Sequence, residues 1–369
     1  MNNKNFEIYF DCGFSMIRAG AFNKENQDET FYTESEFFFD KANIDEEIKK
    51  IIIFLEKKTN EYVNDVNLML DSSEMLSVNL SISKKLDGSK LRQEDVQFLI
   101  QEAKQEILKN YSEHNIIHII MNNYKINNIE YSYLPSEIEC NFVSLDIFFI
   151  CLPNKIVEYF KSLFYRFDIS INQIVCSSYA KTINYKDNFS LDEKIIFIDI
   201  GFNRTSLISY VNHRIVSLNA LPIGGNYITK DISKLLKIDL EIAENLKLNF
   251  DKRENFLEKN NLSQEMLQKI IFARIEEILE LCVKSIKLKF ISSDSYKIVL
   301  MGNGLKISDI ENKNNFFSAN NVHYLHETPQ DICLAGFKLG MGLNNQEVIT
   351  IPNKLIKQGF FEKLFHFFK

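Results

Sequence analysis

Apolar residues are spaced along the chain in two periods. Unbroken β-branched and aromatic runs mark strands, and spacings of three and four mark helices. Phe6–Asp11 and Met16–Phe22 read as strands about the turn Asp11-Cys12-Gly13-Phe14-Ser15, and Thr30–Phe39 as a third. Ile48, Ile51, Ile52 and Leu55 put one apolar face on a helix over Ile44–Thr59, and Val66–Leu70 is a short strand ending at Asp71. A different texture follows. Leu91–Asn110 is an amphipathic helix with Val96, Leu99, Ile100, Ala103, Ile107 and Leu108 on one side. Strand-like runs come after it at Ile116–Ile120, Ile129–Tyr133 and Asn141–Cys151, and Ser83 to Lys90 looks like the loop that leads in. Asn154–Phe167 predicts a helix, Ile174–Cys176 a strand, and Asp187–Glu193 a polar linker at a domain boundary.

The second part of the chain repeats the opening unit. Ile195–Ile198 is a strand buried on both faces; Asp199, Gly201 and a polar turn follow, then a returning apolar run from Leu207. Arg214–Pro222 predicts a third strand, and Ile228–Leu236, Leu240–Leu248 and Ser263–Phe290 predict helices. Lys297–Leu300 is a strand running into Gly302-Asn303-Gly304, and Ile332–Gly340 is helical. An acid followed by a glycine turn has a chemical reading. Glycine permits close backbone approach, successive N–H groups form a concavity for anions, and the acid can hold magnesium through water. A bare hairpin carries the same letters, since Asp-x-Gly turns are common.

Composition narrows the classes. Hydrophobic residues are 45% and charged residues 25%, as in soluble globular chains. A formal net charge of −7 argues against general nucleic-acid affinity. No run of about eighteen apolar residues marks a membrane span, and the N-terminus enters a strand pattern with no signal peptide. Cys12, Cys140, Cys151, Cys176, Cys282 and Cys333 form no C-x-x-C, so reduced thiols in a cytoplasmic protein are expected. The six histidines show neither triad nor metal spacing.

The order Asp11-x-Gly13, Asp199-x-Gly201, Gly302-Asn303-Gly304 resembles the layout of the actin-like ATPase fold. Within that superfamily the chain resembles the FtsA cell-division proteins. The segment Leu221-Pro222-Ile223-Gly224-Gly225-Asn226-Tyr227-Ile228-Thr229-Lys230-Asp231-Ile232 is similar to that family's P-x-G-G-N-x-x-T-x-D-I, and Ala243-Glu244-Asn245-Leu246-Lys247 to its A-E-x-x-K. Cys176 to Ala180 and Ala335-Gly336-Phe337 look like its two interdomain connections.

The resemblance implies an α/β chain of two related halves around a nucleotide cleft, with an inserted small α+β domain (domain IC). Its partition would be 1–80, 153–186 and 331–343 in domain IA, 81–152 in domain IC, 187–232 and 296–330 in domain IIA, and 233–295 in domain IIB. It implies ATP or ADP with magnesium. Phosphate and metal would meet Asp11, Gly13, Ser15, Asp199, Gly201, Asn203, Arg204 and Thr205, with magnesium held through water near Asp11 and Asp199. The nucleoside would meet Gly224, Gly225, Glu244, Lys247, Gly302, Asn303 and Gly304.

The chain departs from the family at both hairpins. Phe14 stands for a small hydroxyl residue and Met16 for the phosphate-facing lysine; Phe202, Asn203 and Arg204 stand for Gly, Gly and Thr, and Ser206 for an Asp. Arg204 or Arg18 would restore a cation. These changes point to nucleotide binding with weak or absent hydrolysis.

Residues 344–358, with Pro352, read as a linker, and 359–369 as an amphipathic helix. Phe360, Phe361, Leu364, Phe365, Phe367 and Phe368 fill an arc of roughly 160°. Lys363 and Lys369 lie opposite, as suits an in-plane membrane helix; a core-closing helix is the other reading. The resemblance implies partners as well: the FtsZ C-terminal peptide, self-assembly into filaments, other division proteins and inner-membrane lipid, at midcell on the cytoplasmic face. Lys284, Lys287 and Lys289 are the basic candidates for the peptide, or simply a solvated helix face. The rivals are a PilM-like pilus-assembly ATPase and a small-molecule kinase, which needs a catalytic acid not found here.

Overall fold

The computed structural model describes residues 5–26, 28–36, 44–135, 138–190, 194–248, 257, 263–287, 296–304 and 322–342, and the backbone of 348–350. Two sheets share one strand order. In the first, β1 (Phe6–Cys12), β2 (Met16–Asn23) and β3 (Thr30–Glu36) form an antiparallel meander, and β4 (Asp65–Leu70) and β9 (Ser170–Cys176) add in parallel on the other side of β1. In the second, β10 (Lys194–Ile200), β11 (Thr205–Val211) and β12 (Arg214–Leu221) form the meander. There β13 (Lys297–Met301) and β14 (Val322–Tyr324) add in parallel beside β10. The shared order makes the two halves structurally related. β14 was not anticipated; it is only three residues long and interrupted by His323.

Two helices lie between these sheets. α4 (Ser177–Lys186) leaves β9 directly, and α8 (Pro329–Gly340) packs on it. One apolar core runs from Phe10 and Leu68 of the first sheet, through Tyr179, Ala180 and Phe337 of the two helices, to Phe197, Tyr210 and Val299 of the second. Thr182 Oγ1 and Tyr210 Oη, 2.7 Å apart, add a buried polar contact across that junction. α8 starts with a reciprocal cap. Thr328 Oγ1 accepts from the Asp331 N–H at 3.2 Å, and Asp331 Oδ2 accepts from the Thr328 N–H at 2.9 Å, with Pro329 at the first helical position. Thr328→Ala is expected to lower unfolding free energy by about 1 kcal/mol; a urea titration measures it.

The outer faces are covered by α1 (Ile44–Thr59) and α3 (Asn154–Tyr165) on the first half. On the second they are covered by α5 (Gly225–Leu236), α6 (Leu240–Leu248) and α7 (Gln264–Lys287). α5 ends at Lys237 in the left-handed conformation, φ 56°.

A third sheet packs beside the first, with Ile120 and Phe148 in the same core. β5 (Leu76–Lys85), β8 (Phe142–Pro153) and β6 (His114–Ile126) are antiparallel neighbours, with the short β7 (Ile129–Tyr131) on β6 and α2 (Gln93–Asn110) packed on one face. Ser83, Lys84 and Lys85, read from sequence as loop, belong to β5, and the sheet begins at Leu76. Leu76, Val78, Leu80 and Ile82 face α2 while the polar residues between them alternate outward. The sheet also reaches the second half: Ser77 Oγ, Asn79 Nδ2 and Asn122 Nδ2 donate to the carbonyls of Leu218, Val216 and Ile215 at 2.7, 3.1 and 2.8 Å. Within the stretch read as a linker, Val348–Thr350 forms β15, antiparallel to Ile120–His118 of β6, so these three residues are strand. The membrane-helix residues, Phe360, Phe361, Lys363, Leu364, Phe365, Phe367, Phe368 and Lys369, lie outside the described residues.

Candidate functional site

The two acid–glycine hairpins meet the end of α4 and the β13 turn in one cleft. It is lined by Asp11, Gly13, Ser15, Arg18, Asp71, Lys181, Asp199, Gly201, Phe202, Arg204, Glu244, Leu248, Asn303 and Gly304 among others, and encloses ≈ 90 Å³. Its place follows from the chain. Asp11 and Asp199 each end a central strand, where parallel neighbours leave a crevice at the carboxyl ends.

Every acid of the cleft floor has a protein cation. Arg18 stands directly across the first hairpin from Asp11, and its Nη1 lies 3.1 Å from Asp11 Oδ2. Ser177 Oγ donates to the other oxygen of Asp11 at 2.6 Å. Lys181, one helical turn after Ser177, reaches Asp199 Oδ2 at 2.9 Å and Glu327 Oε2 at 3.0 Å. Arg204 donates to Asp71 and to Ser206, and lies 3.9 Å from Asp199. Asp71 in turn accepts from the N–H of Ser178 at 2.9 Å and from its hydroxyl at 3.1 Å.

Burial sets the protonation pattern. Desolvation works to raise Asp199, yet the charges of Lys181 and Arg204 outweigh it and hold its carboxyl below the usual range. Glu327 is pushed up by burial, which Lys181 only partly offsets. Asp71 is also raised, burial exceeding the pull of Arg204. Lys181 is held above the ordinary lysine value: burial lowers it, and Asp199 and Glu327 more than reverse that.

The remaining expected residues divide into wall and support. Asp11, Gly13, Ser15, Asp199, Gly201, Arg204, Glu244, Asn303 and Gly304 line the cleft. Asn203, Thr205, Gly224, Gly225, Gly302 and Lys247 stand behind it. Asn203 Oδ1 accepts from Asn226 Nδ2 at 2.8 Å, and Thr205 Oγ1 donates to the Ile223 carbonyl at 2.8 Å. Gly225 N–H donates to Gly201 O at 2.9 Å, and a Cβ on Gly225 would meet the Gly304 backbone. Gly302 takes φ +103°, where a Cβ would meet Asp199 and Ile200. Lys247 is buried; its Nζ reaches Glu244 at 2.8 Å and the Gly225 carbonyl at 3.1 Å, beneath the ring of Phe202. Glu244 and Lys247 form a buried pair, and of the two only Glu244 reaches the cleft wall.

Sequence reasoning missed Asp71, Ser177, Lys181 and Glu327 as site residues. Asp71 had a signal, since it ends a short strand as Asp11 and Asp199 do. Lys181 had one too, lying four residues after Ser177 in the connecting segment.

These contacts test the implied magnesium nucleotide. The ionic partners of Asp11 and Asp199 are Arg18 and Lys181. The N–H groups of Gly13, Gly201, Gly225 and Gly304 donate to backbone carbonyls of the protein itself. Three cations face three aspartates on the floor, so the charge of a metal–triphosphate finds little that is unsatisfied. The phosphate and metal side does not fit that group. The side lined by Glu244, Leu248, Asn303 and Gly304 has no such ion pairing to Asp11 or Asp199 among the described residues.

Comparison with known proteins agrees with the resemblance. The family model described as "Cell division protein FtsA" matches residues 196–333. A protein of that name from Buchnera aphidicola of Acyrthosiphon pisum is 24% identical over 357 residues, covering 83% of this chain and 82% of its own length. The one from Buchnera aphidicola of Schizaphis graminum is 24% identical over 252 residues, spanning 60% of this chain and 59% of that protein. Among solved structures, the PilM-PilN type IV pilus biogenesis complex superposes with a TM-score of 0.58 at 12% identity, over 88% of this chain and 89% of the other, a likeness of fold alone. The chain has the actin-like ATPase fold and is similar in sequence to the FtsA cell-division proteins.

Proposed function

We propose that the chain acts in cell division as an actin-like scaffold, tethering the FtsZ ring to the cytoplasmic face of the inner membrane at midcell and recruiting later division proteins. The observation that carries this reading is the alignment with an FtsA protein over about four-fifths of both chains, joined to a fold of two related halves. Copies of the chain would form filaments, with the third sheet as an assembly element. The FtsZ C-terminal peptide would bind the segment 233–295. Of its basic candidates, Lys284 is exposed on α7 and lies 3.8 Å from Glu280; the side chain of Lys287, and Lys289, lie outside the described residues.

ATP or ADP is the cleft ligand that the family implies, and Glu244, Leu248, Asn303 and Gly304 are the residues suited to its nucleoside. With its acids already paired, the cleft would turn nucleotide over weakly or not at all.

The test is sedimentation of the full chain with anionic vesicles, alone and with FtsZ. The chain should pellet with the vesicles and carry FtsZ with it. Phe361→Glu with Phe365→Glu puts two charges in the apolar arc, at roughly 1.5–3 kcal/mol of lost burial per ring. It should leave both proteins in the supernatant with melting unchanged. FtsZ left behind while the chain pellets would end the tether reading.

A further inference from the structure

The ion pairs of the cleft have a second property: they join the two halves. Lys181 rises from α4, which continues the first sheet's last strand, and Asp199 ends the central strand of the second. Asp71 follows β4 of the first sheet, and Arg204 closes the hairpin of the second. Glu327 follows β14 of the second sheet and takes the other side of Lys181. The side chains of Lys181, Asp199 and Glu327 are 7%, 3% and 1% exposed, and those of Arg204 and Asp71 12% and 4%. Three buried charge contacts thus cross the cleft: Lys181 with Asp199, Lys181 with Glu327, and Arg204 with Asp71.

We propose that Lys181 and Arg204 are built-in counter-ions that latch the two halves closed, so that closure of this chain does not depend on nucleotide or metal. The latch explains two departures together. Met16 can replace the phosphate-facing lysine because no phosphate has to be held there. Arg204 occupies the second hairpin where a small residue would leave room for phosphate oxygens, and its guanidinium is spent on Asp71 and Ser206. The glycine amides of both hairpins close their own turns, and the N–H groups of Gly225 and Gly304 donate to the carbonyls of Gly201 and Ile200. Paired buried charges fix geometry, and here Lys181 and Arg204 each hold an acid of the opposite half, while Glu327 Oε1 has no hydrogen-bond partner among the described residues. Removing one partner is strongly unfavourable because the other is left charged and dry.

Hydrogen exchange on the full chain tests this, reading peptides that span Leu70–Ser72, Ser177–Ile183 and Ile198–Ser206. The first arm compares wild type stripped of nucleotide with a phosphatase and EDTA against wild type with ATP or ADP and magnesium. Protection of the three segments should agree within about twofold. A gain of about tenfold or more on adding nucleotide and magnesium would overturn the latch. The second arm uses two charge-neutral pairs, Asp71→Asn with Arg204→Gln, and Lys181→Met with Asp199→Asn, beside Arg204→Lys, which keeps the charge. In the neutral pairs the three segments should exchange at least about tenfold faster while β6 and β8 keep their protection, and Arg204→Lys should fall between them and wild type. Neutral pairs that exchange like wild type would also overturn it. Should they fail to fold, the first arm decides alone. Neither arm involves FtsZ or vesicles, so the latch and the tether fail separately.

Discussion

Lys181→Met should lower the stability of the chain by about 3–5 kcal/mol at neutral pH, on the order of 10 °C in Tm. The side chain is nearly isosteric, so the loss is electrostatic: Asp199 and Glu327 are left in a site only a few per cent exposed with no ammonium between them. The pH dependence gives the mechanism away. In wild type, Asp199 is depressed, so its contribution is present above its unfolded value and is lost as pH falls through the lower folded value. Glu327 is raised. Between its unfolded value and the higher folded one, the native state holds the proton more tightly, and stability falls as pH rises through that window. Without Lys181 both acids move upward, so the second behaviour applies to both. The gap between variant and wild type should be small near pH 5 and largest near pH 8, in thermal melts at matched ionic strength. An equal gap at both pH values would mean that Lys181 contributes packing rather than charge.

Gly225→Ala should cost about 3 kcal/mol, at the upper end of ordinary overpacking. The added carbon points at the Gly304 backbone, and Gly304 is itself held by its N–H bond to Ile200 O at 2.8 Å. On the other side, Gly225 N–H is bound to Gly201 O at 2.9 Å and Asn226 N–H to Phe202 O at 2.7 Å. Every neighbour is main chain, so no flexible side chain can move aside. The relief would come from parting α5 from the Gly201 hairpin, which also frees Asn203 and loosens the cleft wall. Urea unfolding measures the loss, and a midpoint indistinguishable from wild type would show that the three loops are less tightly held than described.

Much of the fold was legible because most elements have one clean period. The α1 face of Ile48, Ile51, Ile52 and Leu55 and the run Ile195–Ile198 leave little choice of structure. Composition points to loop over Ser83–Lys85 of β5 because serine, asparagine and lysine dominate its outward positions. Its alternating Leu76, Val78, Leu80 and Ile82 were the usable signal. β6 runs past the apolar stretch to Ile126 because Asn122 and Asn123 find partners or burial in tertiary structure that composition cannot show.

At the site, sequence located the glycine hairpins through their turn chemistry. It could not pair the charges: Arg18 with Asp11 is a cross-strand relation legible once the hairpin register is known, whereas Asp71 with Arg204 spans 133 residues. The resemblance places Lys247 at the nucleoside; in the fold the lysine is buried and reaches the Gly225 carbonyl at the start of α5.

The seam between the third sheet and β12 bears on how copies of this chain meet. β12 is the terminal strand of the second sheet, and such a strand ordinarily offers its outward carbonyls as a template on which a foreign strand can add. Here the carbonyls of Ile215, Val216 and Leu218 are taken by Asn122, Asn79 and Ser77. The donors that take them, two amides and a hydroxyl, come from side chains, which satisfy the acceptors without continuing the ladder. Strand pairing is blocked at those carbonyls, and a copy arriving at that border has to dock through side-chain surfaces. Such contacts have a defined register and a reversible geometry, whereas strand addition at an open border is indiscriminate and hard to undo.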